Sequence, residues 1–98
     1  MPTIDDYQRQ LRILGQMRSE SEAARLRFKT SKDTYLDQIA KSRNLGYMGN
    51  YVDELFSRAR EFSDKLDELL AAMVRGEVEI GAQEERIQGL IRIAQTAQ

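Results

Sequence analysis

Residues 50–75 read NYVDELFSRAREFSDKLDELLAAMVR, and their apolar side chains recur at alternating spacings of three and four residues. This is the repeat of an α-helix that packs against other helices. Asn50 stands where a residue caps the start of such a helix, and Gly76 follows the last periodic residue, as a terminating glycine does. The pattern therefore predicts a long amphipathic helix over 50–75.

The apolar stripe of this helix is wider than a two-stranded coiled coil needs. Its strict repeat is Val52, Leu55, Ala59, Phe62, Leu66, Leu69 and Met73, with Phe56 and Leu70 beside it. A stripe of this width favours more than one helical neighbour, as in a bundle. We interpret its larger residues as a partner-binding seam, here called the predicted seam: Val52, Leu55, Phe56, Phe62, Leu66, Leu69, Leu70 and Met73.

Two further helices are predicted before this stretch. Thr3 and Asp6 have the spacing of a capping box, so a first helix is expected over 4–14. The apolar repeat slips after Gly15, and the Ser-Glu-Ser-Glu run that follows offers a new cap. We therefore expect a break there and a second helix over 19–43.

The connections predict how the helices are arranged. Residues 44–50 contain two glycines and two asparagines, which predicts a turn short enough to make 19–43 and 50–75 antiparallel. A second connection over 77–81 is expected to lead to a last helix over 82–96. Residues 1–98 are thus predicted to form one all-α domain, an antiparallel helical hairpin with short terminal helices.

The helix over 19–43 offers a thinner apolar face than its neighbour. Its inward positions are Ala24, Phe28, Tyr35 and Ile39. Because this face cannot cover the whole stripe of 50–75, we expect a homodimer to complete the helical bundle.

Composition argues against catalysis. The 98 residues include no histidine, which is the commonest general base, and no cysteine, which supplies thiolate nucleophiles and metal ligands. They also contain no glycine-rich phosphate loop. We therefore expect no enzymatic activity, no catalytic residues, no cofactor and no metal. The acidic residues lie almost entirely off the apolar stripes, where desolvation cannot raise a carboxyl pKa for acid–base work.

The N-terminal region and the longest apolar run indicate where in the cell the protein is expected. MPTIDDYQRQ lacks the basic and apolar regions of a signal peptide, and the longest apolar run, residues 69–74, is far shorter than the roughly 20 residues that span a bilayer. We expect a cytoplasmic protein without a membrane partner, with leaderless export left open.

A row of basic residues marks a third feature, here called the basic row: Arg18, Arg25, Lys29 and Lys32. One hypothesis is that it contacts nucleic-acid phosphates. The net charge of −1 and the lack of a recognition-helix or stacking motif favour a second one, in which the row faces acidic residues of the following helix or of a partner protein. Residues 1–49 carry +3 and residues 50–98 carry −4, which agrees with the second hypothesis.

The central turn supplies a second candidate partner site, here called the tip: Tyr47, Met48 and Tyr51. Aromatic and methionine side chains are frequent binding anchors. Packing of the tip against Leu45 and Leu55, as a closure of the hairpin end, is an equal alternative.

Tyr47-Met48-Gly49 at the centre of a hairpin of about 100 residues resembles the Trp-x-Gly turn of the WXG100 (ESAT-6-like) family of type VII secretion. The resemblance covers residues 19–75, with tyrosine in place of tryptophan and no Tyr-x-x-x-Asp/Glu signal after the second helix. It implies a leaderless exported dimer that forms a four-helix bundle.

Three functions follow from these patterns. The first is a non-enzymatic protein-interaction module, such as an adaptor, a chaperone-like or a regulatory protein, that acts through helix-on-helix packing as a homodimer. The second is a nucleic-acid-associated protein that uses the basic row. The third is a leaderless exported hairpin of the WXG100 kind.

Overall fold

The computed structural model describes residues 2–44 and 49–97, and almost all of them lie in two α-helices. Helix α1 covers Ile4–Asn44 with 41 residues, and helix α2 covers Gly49–Thr96 with 48 residues. The two helices pack against each other, and no strand occurs within the described ranges. The predicted all-α helical hairpin is confirmed.

Two compact units make up the chain, and each contains a piece of both helices. The terminal unit comprises Met1–Ala23 and Met73–Gln98, and the central unit comprises Ala24–Ala72. Each unit is described by itself.

In the terminal unit, polar side chains join the two helices. The Arg18 guanidinium lies 3.0 Å from the Glu84 carboxylate, and the Ser21 hydroxyl donates a hydrogen bond of 3.1 Å to Glu77. Residue numbers rise along α1 as they fall along α2, so the helices are antiparallel here. Ile87 is the apolar side chain that is buried in this unit, among the residues described.

In the central unit, the contacts again run antiparallel. Lys32 pairs with Asp67 at 2.6 Å, and the rings of Tyr35 and Phe62 meet edge to face with centroids 6.0 Å apart. Among the described residues of this unit, three side chains are buried, and two of them are small: Ile39, Ala59 and Ser63.

The predicted breaks in the helices are wrong. Helix α1 passes through residues 15–19 without interruption, and α2 passes through Gly76 and residues 77–81, so neither short terminal helix is separate. Glycine inside a helix costs about 1 kcal/mol relative to alanine. That cost does not end either helix.

Helix length also no longer favours a break. A helix over 4–43 rises about 60 Å, against about 39 Å for one over 50–75, so a second helix that ended at residue 75 would leave part of an unbroken α1 without a surface to pack on. Since α2 has 48 residues, its rise of about 72 Å gives all of α1 a surface to pack on.

One register of three- and four-residue steps runs through the whole of α1. Most of its positions are buried or half-buried, and they form the α1 contact face: Ile4, Tyr7, Leu11, Leu14, Arg18, Ser21, Arg25, Phe28, Lys32, Tyr35, Ile39 and Ser42. Polar residues occupy its middle, which is why the apolar pattern alone shows a slip. Arg18 and Ser21 keep the register because α2 supplies their partners.

An equally regular register runs through α2. All of its described positions from residue 56 on are buried or half-buried, and they form the α2 contact face: Phe56, Ala59, Ser63, Leu66, Leu70, Met73, Glu77, Ile80, Glu84, Ile87, Ile91 and Ala94. The seven-residue repeat of both faces is that of an antiparallel coiled coil.

The predicted cap at the start of α1 is confirmed. The backbone N–H of Thr3 donates to the Asp6 carboxylate at 2.9 Å, and the backbone N–H of Asp6 donates to the Thr3 hydroxyl at 3.2 Å. This is a reciprocal capping box. Helix α2 begins at Gly49, one residue before the predicted start, and the side chain of Asn50 lies outside the described residues.

Within the described part of the chain, neither helix has a stretch long and apolar enough to cross a membrane.

Alanine in place of Gly15 or Gly76 is expected to stabilise the protein by about 0.5–1 kcal/mol each. A Cβ at either position meets no atom within 4 Å, and both lie inside helices. Urea unfolding followed by circular dichroism measures the change. Ala71→Gly, at an exposed helical position, is the matched control and should lower stability by a similar amount. Unchanged or reduced stability in both alanine variants would contradict continuous helices.

Removing the hydroxyl with Thr3→Ala is expected to raise the Asp6 pKa and to fray the first turn of α1. Hydrogen bonds from the Thr3 backbone first, and from its side chain second, hold the pKa of Asp6 below 3.8. The cap therefore contributes stability above pH 3.8, and this contribution is lost as the pH falls through the lowered value. Carboxyl titration by NMR measures the pKa, and Thr3→Ser, which keeps the hydroxyl, should leave it low.

Candidate interaction surfaces

Helix α2 turns a different part of its apolar stripe toward α1 than the predicted seam implies. Leu66 and Met73 lie on the α2 contact face, as do Phe56 and Leu70, the two residues placed beside the strict repeat. The side chain of Val52 lies outside the described residues.

Phe62 and Leu69 lie beside the α2 contact face and not on it. Both belong to the strict repeat of the predicted seam, yet they are 53% and 46% exposed. Ala59 and Ser63 are buried at 1% and 8% exposure, and their small side chains permit close packing of α2 against α1. Leu55, one heptad before Phe62, is half-buried.

One flank of the central unit therefore carries large apolar side chains that the hairpin covers only in part. Phe28 and Tyr35 lie seven residues apart on α1, and Phe62 and Leu69 lie seven apart on α2. The Tyr35–Phe62 contact places the two pairs on the same side, and one heptad along the antiparallel helices brings Phe28 level with Leu69. These four residues are here called the apolar flank.

The next row of α1 beside the apolar flank contains no charge. Its members in the central unit are Ala24, Ser31 and Gln38. Interface cores are depleted in charged residues and enriched in aromatic ones. The apolar flank and this uncharged row together have the composition of such a core.

The opposite flank of the central unit has a shallow groove of about 360 Å³. It is lined by the apolar side chains of Leu36, Ala40 and Phe56 and by the polar side chains of Arg60, Ser63 and Asp64. Sequence reasoning did not single out this groove, because Phe56 was taken as part of one broad stripe.

Arg18 and Lys32 of the basic row form ion pairs with the second helix. Arg18 pairs with Glu84, whose side chain is only 16% exposed, and Lys32, also 16% exposed, pairs with Asp67. These two contacts are those expected if the row faces the acidic helix, and they reduce what it can offer to phosphates. Arg25 is half-buried on the α1 contact face, and Lys29 is exposed.

The Lys32–Asp67 contact perturbs a titration. The hydrogen bond to Asp67, and then its charge, raise the pKa of Lys32 above 10.5. This contribution to stability is fully present below pH 10.5 and is lost only as the pH rises through the raised value. The pair is therefore intact at neutral pH.

The predicted tip is described only in part. Tyr51 is 74% exposed, and it lies in the first turn of α2, where it borders a shallow depression with Glu54 and Arg58. Tyr47 and Met48 lie outside the described residues.

Among the residues that the structure describes, no group of three or more acidic side chains is arranged to hold a metal ion. Nor does any buried side-chain nitrogen or oxygen in this part lack a hydrogen-bond partner. The candidate sites in the described part of the chain are therefore the apolar flank, the groove and the exposed charged side chains.

No family model matches the chain, and neither curated proteins nor solved structures give a significant match. The WXG100 resemblance rests on Tyr47-Met48-Gly49, of which only Gly49 is described, as the first residue of α2. The functional argument therefore rests on the geometry of the helices.

Replacing both Arg18 and Glu84 by leucine is expected to stabilise the protein, whereas Arg18→Leu alone should destabilise it by about 1 kcal/mol or more. Both residues occupy contact faces, where apolar side chains pack without the cost of desolvating charge. The single variant leaves the nearly buried Glu84 without its guanidinium. Thermal and urea unfolding of the three proteins measure the effect.

The control for that comparison is the Glu54–Arg58 pair within α2. Its side chains are 61% and 74% exposed, so replacing both by alanine should change the unfolding free energy by less than about 0.5 kcal/mol. A double leucine variant at 18 and 84 that is less stable than the natural protein would show that the contact depends on charge.

Proposed function

We propose that this chain is a homodimeric protein-interaction module that works by packing helices against helices and not by catalysis. The observation that carries the proposal is the apolar flank, where Phe28, Tyr35, Phe62 and Leu69 remain 39–53% exposed on one side of the central unit. Large apolar residues grouped in this way mark interaction sites.

The exposed surface area supports association. The chain exposes 7679 Å², whereas a compact protein of 11.3 kDa exposes about 5,700 Å². The difference, roughly 2,000 Å², exceeds the roughly 800 Å² that each partner buries in a stable interface of standard size, and falls in the range of obligate dimers.

The proposal divides the predicted seam between two tasks. Leu66, Leu70 and Met73 hold α2 to α1, since they lie on the α2 contact face. Phe62 and Leu69 are left for the partner. Such a module fits an adaptor, a chaperone-like protein or a regulator, all of which act by presenting a surface.

The absence of histidine and cysteine from the sequence agrees with a binding role. The acidic and basic side chains in the described part lie mostly at the surface or in pairs between the helices. Such pairs fix the register of the two helices, which is a structural role and not a catalytic one.

The test compares Phe62→Glu with Val78→Glu by light scattering and circular dichroism. Both residues are exposed, but only Phe62 belongs to the apolar flank. The natural protein should be a dimer, and Phe62→Glu should raise the dissociation constant at least about a hundredfold, because each dimer loses two buried phenylalanines and gains two buried charges. Val78→Glu should dimerise normally.

A third variant separates folding from association. Leu66→Asp lies on the α2 contact face and should lose both helicity and dimerisation. A natural protein that is fully helical and monomeric at high concentration would refute the proposal, as would a Phe62→Glu variant that dimerises like Val78→Glu.

A further inference from the structure

Two exposed rows of charge lie beyond the apolar flank, one on each helix. On α1 the row is Glu20, Arg27, Thr34 and Lys41, at intervals of seven residues, and on α2 it is Glu54, Glu61, Glu68 and Arg75, at the same interval. All eight side chains are exposed. Residues seven apart lie on one side of a helix, so each row is a line along its helix, charged at every position except Thr34.

The position of each row follows from the helical repeat. On α1, the surface runs from Phe28 and Tyr35 through the uncharged row to Arg27 and Lys41. On α2, it runs from Phe62 and Leu69 to Glu61 and Glu68 by way of Arg58 and Lys65. A helix of a partner that packed onto the apolar flank would therefore lie next to one of these two rows.

The rows have opposite signs when they are aligned antiparallel. Arg27 then falls opposite Glu68, Thr34 opposite Glu61 and Lys41 opposite Glu54.

The hairpin itself leaves this complementarity unused. Among the described residues, Arg27, Glu61 and Glu68 take part in no hydrogen bond or ion pair. Lys41 pairs with Asp37 on its own helix, and Glu54 pairs with Arg58 on its own helix, both at four-residue spacing. Such exposed pairs exchange readily because each is weak.

We propose that a second copy of the chain docks on the apolar flank with its α2 antiparallel to α1, and that the two charged rows set the register. This inference rests on the proposed function and names its partner and geometry. The arrangement is twofold symmetric, so α2 of the first copy packs on α1 of the second in the same way, and every contact occurs twice. It closes a four-helix bundle around Phe28, Tyr35, Phe62 and Leu69.

Charge disfavours an alternative dimer in which the α2 helices of the two copies pack against each other. Pairing α2 with α2 antiparallel brings Glu61 of one copy close to Glu61 and Glu68 of the other, which is repulsive. In the α1-to-α2 arrangement, Arg58 and Lys65 lie over Ser31 and Gln38, where their aliphatic stems cover apolar surface and their charges reach solvent.

The experiment uses two charge-reversed versions of the full chain. The acidic variant carries Arg27→Glu and Lys41→Glu, and the basic variant carries Glu54→Lys and Glu68→Lys. In each one alone, both interfaces become repulsive, and the dissociation constant of the dimer should rise at least about tenfold at low salt. The effect should shrink at 1 M salt, where charge is screened.

Mixing the two variants is the decisive step. In a dimer of one acidic and one basic chain, each interface again joins opposite charges, so the mixture should form heterodimers with the affinity of the natural protein. Native mass spectrometry distinguishes them from homodimers, and sedimentation equilibrium gives the affinity. The control is Lys29→Glu with Arg60→Glu, which changes net charge as the acidic variant does but lies on the opposite flank of the central unit, where Lys29 precedes Leu36 by one heptad.

The outcomes separate the inference from the proposed function. Dimers that persist unchanged in both variants, or a mixture that stays monomeric, overturn the register and leave the interaction module in place. Weakening in the control to the same extent also overturns it, because net charge would then be the cause. A monomeric natural protein overturns both proposals.

Discussion

Within residues 2–44 and 49–97, each helix packs against one other helix, and the rest of the structure depends on that constraint. A helix in a globular core buries its apolar side chains against two or more elements, whereas a two-helix hairpin offers a single line of contact. The line is narrow, and the most buried apolar residue in the described part of the chain is the small Ala59, at 1% exposure. Whatever apolar surface lies to the side of it remains in water until something else covers it.

Much of the fold could be predicted from the sequence. The all-α class, the hairpin and the Thr3–Asp6 cap all depend on local rules, namely period, turn composition and capping, and each is confirmed. The helix ends at residues 14, 19, 75 and 82 were wrong because they treated glycine and polar residues as interruptions. Arg18 and Ser21 look like a slip in an apolar pattern, and their role becomes visible only when Glu84 and Glu77 are placed opposite them.

The candidate surfaces were predictable to a lesser degree. The broad stripe over 50–75 is real, but the sequence does not say which part of it faces α1. That choice depends on Ala59 and Ser63, whose small side chains permit close approach, and not on the largest residues, which draw attention first. The rotation moves Phe62 and Leu69 to the outside. The basic row shows the same dependence, since the acidic partners of Arg18 and Lys32 lie more than thirty residues away in the chain.

The polar pairs between the helices have a consequence for sliding. Coiled coils with a uniform apolar seam can shift by one heptad with little loss of contact, and buried polar residues prevent this. A shift in one direction would set Lys32 against Arg60, two like charges. A shift in the other would set it against Val74, and would set Arg18 against Ile91, so that both cations lose their carboxylates. The ion pairs between the two helices therefore fix one axial alignment of α1 against α2.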